Sequence, residues 1–162
     1  MILIFTNKDE KELIYEIKSK RVEKVGFVCD SLPLISNLNL IENLLLIVEY
    51  HGLNIDKNSI VEDLKRYNLF NKRYYRKDSL ELFEIFFVKY LMCKYFQADT
   101  ICFVNQFHSF VHKREIFYEF FRENYSENFV IIERDVYKKL LIDNLKLKEM
   151  DLDLWLKNGL KT

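Results

Sequence analysis

The sequence predicts an α/β fold with a mostly parallel core sheet and a helical insert at about residues 39–96. Short apolar segments of strand type alternate with longer helical segments, which is typical of a parallel sheet covered by helices. From about residue 39 to residue 96 every regular segment is helical, so this stretch interrupts the strand pattern as an insert. Only three glycines and one proline occur among 162 residues, which indicates long regular elements with few tight turns.

The N-terminal part predicts strand, helix and strand in that order. Residues 2–5 (ILIF) form a short apolar run that predicts a strand. Residues 9–20 are charged but carry apolar side chains at helical spacing, which predicts an amphipathic helix. Residues 24–29 (KVGFVC) are β-branched, apolar and aromatic, and this composition favours a buried strand.

The middle of the sequence predicts three helices. Residues 40–50 form an apolar helix that ends near Gly52, a suitable C-terminal cap. Residues 58–67 predict a second helix that Asp56 or Asn58 caps. Residues 80–96 are apolar on nearly every side, which predicts a long buried helix.

The C-terminal part returns to alternating strands and helices. Residues 100–104 (TICFV) and 129–132 (FVII) predict core strands. Residues 110–123 and 136–142 predict the helices that follow them. Residues 145–156 alternate between apolar and polar side chains, which predicts strand structure with a turn near Glu149. No linker or repeat divides the chain, so we expect residues 1–162 to form a single domain.

Composition excludes several classes of protein. The chain has 25 basic and 25 acidic residues and no net charge, whereas a nucleic-acid-binding protein usually carries a basic excess. We therefore expect no nucleic-acid partner, although the basic cluster at residues 72–77 is the one candidate patch. Cys29, Cys93 and Cys102 form no CxxC pair and are expected to be reduced and mostly buried. No segment is apolar enough to span a membrane, so we expect a cytoplasmic protein.

Residues 25–52 (VGFVCDSLPLISNLNLIENLLLIVEYHG) resemble the ATP-binding subunit of ABC transporters. In that family a strand with this Gly-Phe-Val pattern runs into the glutamine loop. A leucine-rich turn then leads to a helix that opens with Glu-Asn, here Glu42-Asn43, and ends near an aromatic residue and a glycine. TICFVNQF at 100–107 stands where the Walker B strand belongs, and FVIIERD at 129–135 stands where the switch-histidine strand belongs. The resemblance implies a truncated P-loop ABC ATPase domain.

The chain departs from that family at the residues that hold and cleave ATP. It lacks the N-terminal Walker A region, because no GxxxxGK(S/T) motif occurs. The glutamine-loop position holds Asp30, and the Walker B acids are replaced by Val104 and Asn105. Arg134 stands at the position of the switch histidine, followed by a retained Asp135. We therefore expect no catalytic residues and no binding of ATP or magnesium, since phosphoryl transfer depends on positioning and charge stabilisation.

The resemblance also implies a docking surface. In the family, the helical insert and the glutamine loop form the groove that receives a cytoplasmic helix of the permease. The residues expected to dock a partner follow the second strand: Asp30, Ser31, Leu32, Pro33 and Leu34. The sequence leaves open whether the leucines of this loop are exposed for docking or packed into the core.

The leading interpretation is therefore a degenerate, non-hydrolysing ABC ATP-binding-like subunit that associates with a membrane permease. It would lie at the inner face of the cytoplasmic membrane. An intact ATPase subunit and a second copy of the chain are further candidate partners. One alternative is the remnant or mis-started product of an ABC ATPase gene. Another is a small metal-dependent enzyme that uses His108 and His112, which share a face if they lie on one helix. We expect no metal site.

Overall fold

The computed structural model describes residues 1–110 and 112–158, and within them a five-stranded parallel sheet forms the core. The strands are β1 (Ile2–Phe5), β2 (Val25–Val28), β3 (Thr100–Val104), β4 (Phe129–Glu133) and β5 (Lys148–Glu149). Their order across the sheet is β2-β3-β4-β1-β5, and each neighbouring pair is parallel. The predicted α/β class and parallel sheet are confirmed.

Seven α-helices surround this sheet in the described part of the chain. They are α1 (Glu10–Lys20), α2 (Leu40–Tyr50), α3 (Lys57–Arg66), α4 (Leu82–Tyr95), α5 (Arg114–Glu123), α6 (Lys138–Leu145) and α7 (Leu152–Asn158). Short 3-10 helices lie at Phe70–Lys72, Lys77–Ser79, Phe107–Phe110 and Asp135–Tyr137. The three helices α2 to α4 separate β2 from β3 in the sequence, so the predicted helical insert is confirmed.

Side chains alternate between the two faces of the sheet because successive strand residues point in opposite directions. Leu3, Phe103 and Ile131 belong to the larger core cluster, which includes residues of α2 to α6. Ile4 and Ile132 belong to the smaller cluster, which α1 and α7 cover. The sheet is therefore the middle of three layers.

Helix α4 is buried on nearly every side, as predicted. Ten of its fourteen residues are buried, and it packs against both α2 and β2. The ring of Phe86 lies 4.9 Å from that of Phe110, 5.1 Å from Phe120 and 5.5 Å from Phe103 (centroid distances). Such aromatic contacts add stability beyond the apolar area that they bury.

The caps of α2 and α3 explain where these helices begin and end. Asn39 and Glu42 form a reciprocal capping box at the start of α2. Gly52 follows α2 with a positive φ of 58°, which is the predicted glycine cap. Asp56 caps α3 by accepting the backbone N–H of Asn58.

The predicted strand structure of residues 145–156 is wrong over its second half. Only Lys148 and Glu149 pair with β1. Asp151 then accepts the N–H of Leu154 with its side chain and that of Trp155 with its carbonyl, which starts α7. Leu152, Trp155 and Leu156 are buried at helical spacing in the smaller core cluster, so tertiary packing outweighs the local alternation.

No helix in the described part of the chain is long and apolar enough to cross a membrane. The three cysteines are free and buried, as predicted. Burial raises the pKa of the Cys29 thiol to about 11 and that of Cys93 to about 12, so neither thiol is activated as a nucleophile.

Candidate functional site

The carboxyl ends of the parallel strands meet at one edge of the sheet, where α/β folds commonly bind ligands. A cleft of about 300 Å³ opens at this edge. Its lining residues come from the start of α1 and from the ends of β2, β3 and β4: Asp9, Glu10, Asp30, Asn105, His108, Glu133, Arg134 and Tyr137. We call it the acidic cleft because four of these residues carry carboxyl groups.

Asp30 lies at the centre of a polar network on the rim of the cleft. Its Oδ2 lies 3.3 Å from Nε2 of His108, and its Oδ1 accepts a 3.4 Å hydrogen bond from Nε2 of Gln106. The ammonium of Lys89 lies 3.8 Å from the same Oδ1. Hydrogen bonding to His108, followed by the charge of Lys89, lowers the pKa of Asp30 despite partial burial.

Lys89 is a buried cation whose side chain reaches from α4 to the end of β2. Its side chain is 7% exposed, and its ammonium donates a hydrogen bond to the carbonyl of Cys29. Burial lowers the pKa of Lys89, and the neighbouring Asp30 offsets part of this change. A buried cation with one carboxylate and one carbonyl as partners fixes the loop after β2 against α4.

Glu133 is the most buried acid of the cleft. Its Oε1 accepts the N–H of Phe107 at 2.7 Å, whereas its Oε2 has no hydrogen-bond partner within the described residues. The residue is 1% exposed. Burial raises the pKa of Glu133 to about 7, although the nearby backbone N–H groups of Phe107 and Gln106 act in the opposite direction.

The loop at residues 6–9 joins β1 to α1 and borders the cleft. It is a strand–loop–helix connection inside the sheet, because β1 lies between β4 and β5. A P-loop has this placement, yet the loop here contains no glycine. Lys8 forms a 2.6 Å ion pair with Glu16. Asp9 caps α1 by accepting the N–H groups of Lys11 and Glu12.

The five predicted docking residues fall into two environments. Asp30 and Ser31 lie toward the acidic cleft, where the N–H of Ser31 donates to Oε1 of Glu10 at 2.6 Å. Leu34 is 4% exposed and belongs to the core. Leu32 is 42% exposed, and it lines a second cavity together with Pro33. The question that the sequence left open thus has a different answer for each leucine.

This second cavity, which we call the apolar groove, has a volume of about 340 Å³ and lies beside the edge strand β2. Most of its lining side chains are apolar: Val25, Gly26, Phe27, Leu32, Pro33, Ile47, Met92, Cys93 and Phe96, with Lys18 and Lys89 as the two cations. They come from β2, from the loop after it and from helices α1, α2 and α4. The groove therefore lies between the sheet and the helical insert.

The remaining predicted site residues lie at the ends of β3 and β4 or directly after them. Val104 is fully buried, and Asn105 adopts a positive φ of 52° at the cleft. Arg134 lines the cleft. Asp135 begins the 3-10 helix Asp135–Tyr137, and its Oδ2 accepts a 2.7 Å hydrogen bond from Nδ2 of Asn7.

His108 and His112 do not share an α-helix. His108 belongs to the 3-10 helix Phe107–Phe110, whereas His112 lies in a turn before α5. Nδ1 of His108 faces the carbonyl of Asn105 at 2.6 Å, and its Nε2 faces Asp30. Across residues 1–110 and 112–158, no group of three or more metal-ligating side chains is suitably placed to hold a metal ion.

Sequence reasoning missed Glu133, Gln106, Lys89 and the role of His108. The one local signal for Glu133 is that an acid directly follows the buried run FVII. Gln106 and Lys89 occur in apolar segments and are 2% and 6% exposed, so each needs a buried polar partner. The partners themselves lie far away in the sequence.

Comparisons with known proteins show where this architecture occurs. No protein-family model and no curated protein matches the chain. A structure of a metal-chelate type ABC transporter in an inward-facing conformation matches with a TM-score of 0.64 at 11% identity, covering 88% of this chain and 65% of that one. The dimeric structure of a bacterial ABC transporter cassette matches with a TM-score of 0.54 at 15% identity, covering 90% and 64%. The chain thus spans less than two thirds of each, and it has the fold of an ABC transporter ATPase cassette in a shortened form.

Proposed function

We propose that this protein is a non-hydrolysing subunit related to ABC cassettes, which docks on a membrane permease through the apolar groove. The proposal rests on three features that occur together. The chain has a cassette fold, an apolar groove lies between the sheet and the helical insert, and an acidic cleft lies at the strand ends. The fold supports a role in a transport complex, and the chemistry of the cleft argues against ATP as its ligand.

The cleft is a poor site for a triphosphate. An anion normally binds at a helix N-terminus through free backbone N–H groups. At the start of α1 the N–H groups of Lys11 and Glu12 are already engaged by the carboxylate of Asp9, and Glu10 and Glu12 add negative charge in the first turn. A phosphate at about 4 Å from a carboxylate is opposed by about 4 kcal/mol at the effective dielectric of a protein surface.

The residues that would act on a phosphate are also of the wrong type. Lys8, the cation in the loop before α1, is held by Glu16. The positions expected for the Walker B acids carry the fully buried Val104 and the amide Asn105. Together with the glycine-free loop at residues 6–9, these features support a subunit that leaves ATP hydrolysis to an intact ATPase partner.

The apolar groove supports the docking half of the proposal. Leu32 and Pro33 project from the loop after β2, opposite Ile47 of α2 and Met92 of α4. An amphipathic helix recognises this kind of surface by placing its apolar face in the groove. A cytoplasmic helix of a permease has this chemistry, and one of the structures that share this fold is an ABC transporter in an inward-facing conformation. The subunit would then lie at the cytoplasmic face of the membrane.

The docking test uses charge substitution in the groove. The tagged chain is co-expressed with any multi-span membrane protein encoded beside its own gene, and the complex is purified in mild detergent. We expect stoichiometric co-purification, reduced at least about tenfold in Leu32→Glu because a charge would be buried against apolar side chains. The matched control is Leu154→Glu, since Leu154 is 52% exposed on α7. Equal losses in the two variants, or no complex with the unaltered chain, would refute the docking proposal.

Calorimetry tests the nucleotide half separately. Titration of the purified chain with ATP and magnesium should give no saturable heat up to millimolar nucleotide. Binding at micromolar concentrations, which corresponds to about −8 kcal/mol, would show that the cleft accepts a triphosphate despite its carboxylates.

A further inference from the structure

The acidic cleft carries more negative than positive charge when the ion pair between its own side chains is set aside. Asp30 and His108 form one pair. Asp9 and Glu10 accept backbone N–H groups and keep their negative charge. Glu133 adds a third carboxyl group, and the guanidinium of Arg134 on the rim is the one further cation among the lining residues.

Glu133 provides an acceptor atom in the cleft that a cationic ligand could contact. Its side chain is buried, its Oε1 is satisfied by Phe107, and its Oε2 has no partner within the described part of the chain. A buried oxygen without a donor destabilises the folded state by about 1–3 kcal/mol, and a ligand that supplies an N–H donor recovers this energy. Glu133 lines the acidic cleft, but its Oε2 has almost no solvent-accessible surface. A donor in the cleft therefore reaches this oxygen after a small rotation of the carboxylate about its terminal bond, which has a broad torsional minimum.

We propose that the acidic cleft binds a small organic cation of the primary amine or guanidine class, whose N–H groups donate to Oε2 of Glu133. Asp9 and Glu10 line the same cleft and stabilise the ligand's charge. This site is distinct from the apolar groove, so the inference stands apart from the docking proposal.

Cleft size and ligand geometry favour an organic cation over a metal ion. A volume of about 300 Å³ is far larger than the space that a single ion or water molecule needs. Divalent ions bound by proteins require several oxygen ligands at short distances, whereas no suitable group of three exists in the described residues. An ammonium or guanidinium group instead needs one charged acceptor and nearby negative charge.

The experiment is a calorimetric titration of the full chain with 1,4-diaminobutane and with methylguanidine at about pH 8, where Glu133 with its pKa of about 7 is mostly ionised. We expect saturable 1:1 binding of at least one probe. Glu133→Gln should weaken it at least tenfold, because the glutamine amide still accepts from Phe107 but turns a donor toward the ligand. Glu115→Gln is the matched control, since Glu115 is exposed on α5, and it should leave the affinity unchanged.

Two further variants should change the binding affinity in opposite directions. Asp9→Asn keeps a good helix cap but removes one charge, so it should weaken binding about threefold. Arg134→Ala removes the cation on the rim and should strengthen binding. Should Glu133→Gln fail to fold, weaker binding in Asp9→Asn together with stronger binding in Arg134→Ala would still support a cation site in the cleft. Binding that is unaffected by Glu133→Gln and by Asp9→Asn, binding of magnesium in preference to both probes, or no binding at about 10 mM of either probe would overturn the proposal.

Discussion

Nε2 of His108 lies 3.3 Å from Oδ2 of Asp30, which links the 3-10 helix after β3 to the loop after β2. The hydrogen bond that His108 donates to Asp30 raises the pKa of His108, and the same bond lowers the pKa of Asp30. Both groups are therefore charged over a wider pH range in the folded protein than in the unfolded chain. The pair connects two strand ends at the rim of the acidic cleft.

Replacing His108 by glutamine should reduce stability in a pH-dependent way. The contribution of the histidine is complete below its unfolded pKa of about 6.5 and is lost as the pH rises through its higher folded value. The contribution of Asp30 is complete above about pH 4 and is lost as the pH falls through its lower folded value. Because both side chains are more than a third exposed, we expect a deficit of only about 0.5 kcal/mol at about pH 5.5.

Urea denaturation of the two proteins at about pH 5.5 and about pH 8.5 measures this difference. The deficit should be larger at the lower pH. A deficit that is equal at both values would show that the variant loses packing and not the ion pair.

Replacing Glu133 by glutamine should stabilise the protein above neutral pH. The folded pKa of Glu133 is about 7, above its ordinary value of 4.5. The folded state therefore binds more protons than the unfolded chain between these values, and its stability falls as the pH rises through this window. Glutamine is neutral at every pH, so we expect a gain of about 2 kcal/mol at about pH 8 in the absence of ligand.

Thermal unfolding at about pH 5 and about pH 8 is the check, with Glu115→Gln as the matched exposed control. The gain should be confined to the higher pH. A Glu133→Gln protein that is less stable than the unaltered chain at pH 8 would mean that the carboxylate has a cationic partner in the folded state.

Replacing Asn43 by aspartate should release the loop that precedes α2. Asn43 is 2% exposed. Its Nδ2 donates to the carbonyls of Ile35, Leu38 and Asn39, while its Oδ1 accepts the N–H of Ile35 at 2.9 Å. Aspartate cannot donate to these carbonyls, so we expect a loss of about 3 kcal/mol.

Amide hydrogen exchange across residues 31–38 reports this change directly, because protection there depends on the anchored loop. Asn37→Asp makes the same chemical change at an exposed position and should leave exchange unaltered. Unchanged protection in Asn43→Asp would argue that the rest of α2 holds the loop in place.

Replacing Gly26 by alanine should destabilise the protein through a steric clash. A Cβ atom at this position would lie 2.9 Å from Sγ of Cys93 and 3.0 Å from Cβ of Ala98. Overpacking of this kind costs about 2 kcal/mol. Gly52→Ala is a useful comparison, since a Cβ there meets nothing within 4 Å but φ is +58°, so backbone strain alone should cost about 1 kcal/mol.

Chemical denaturation of both alanine variants separates the two mechanisms when it is repeated with Cys93→Ala. Removing the sulfur should recover part of the loss in Gly26→Ala and none of the loss in Gly52→Ala. Equal recovery in both would show that the loss at Gly26 is not a local clash with Cys93.

Much of the fold could be predicted because its signals are local. β3 matches the predicted 100–104, and α2 matches the predicted 40–50, since apolar runs and caps define these elements within a few residues. The start of α5 was predicted at residue 110 but lies at Arg114. Phe107 and Phe110 form part of a 3-10 helix whose rings pack into the core, and this requirement arises only from tertiary structure.

The site was less predictable because its contacts join distant parts of the chain. Asp30 was predicted as a site residue from the resemblance, yet its partner His108 was considered only as a metal ligand. Glu133 accepts from Phe107 across 26 positions, and in the sequence it resembles any polar residue after a strand. A single sequence indicates where strands end, but it does not indicate which of their terminal side chains turn inward.

Lys89 belongs to both candidate surfaces, because its side chain lines the apolar groove while its ammonium contacts Asp30 at the acidic cleft. A ligand that moves Asp30 therefore changes the position of a side chain in the groove, and a partner in the groove changes the charge that Asp30 experiences. Linkage of this kind is reciprocal in free energy. If both surfaces are used, the occupancy of one changes the affinity of the other by the same factor in each direction.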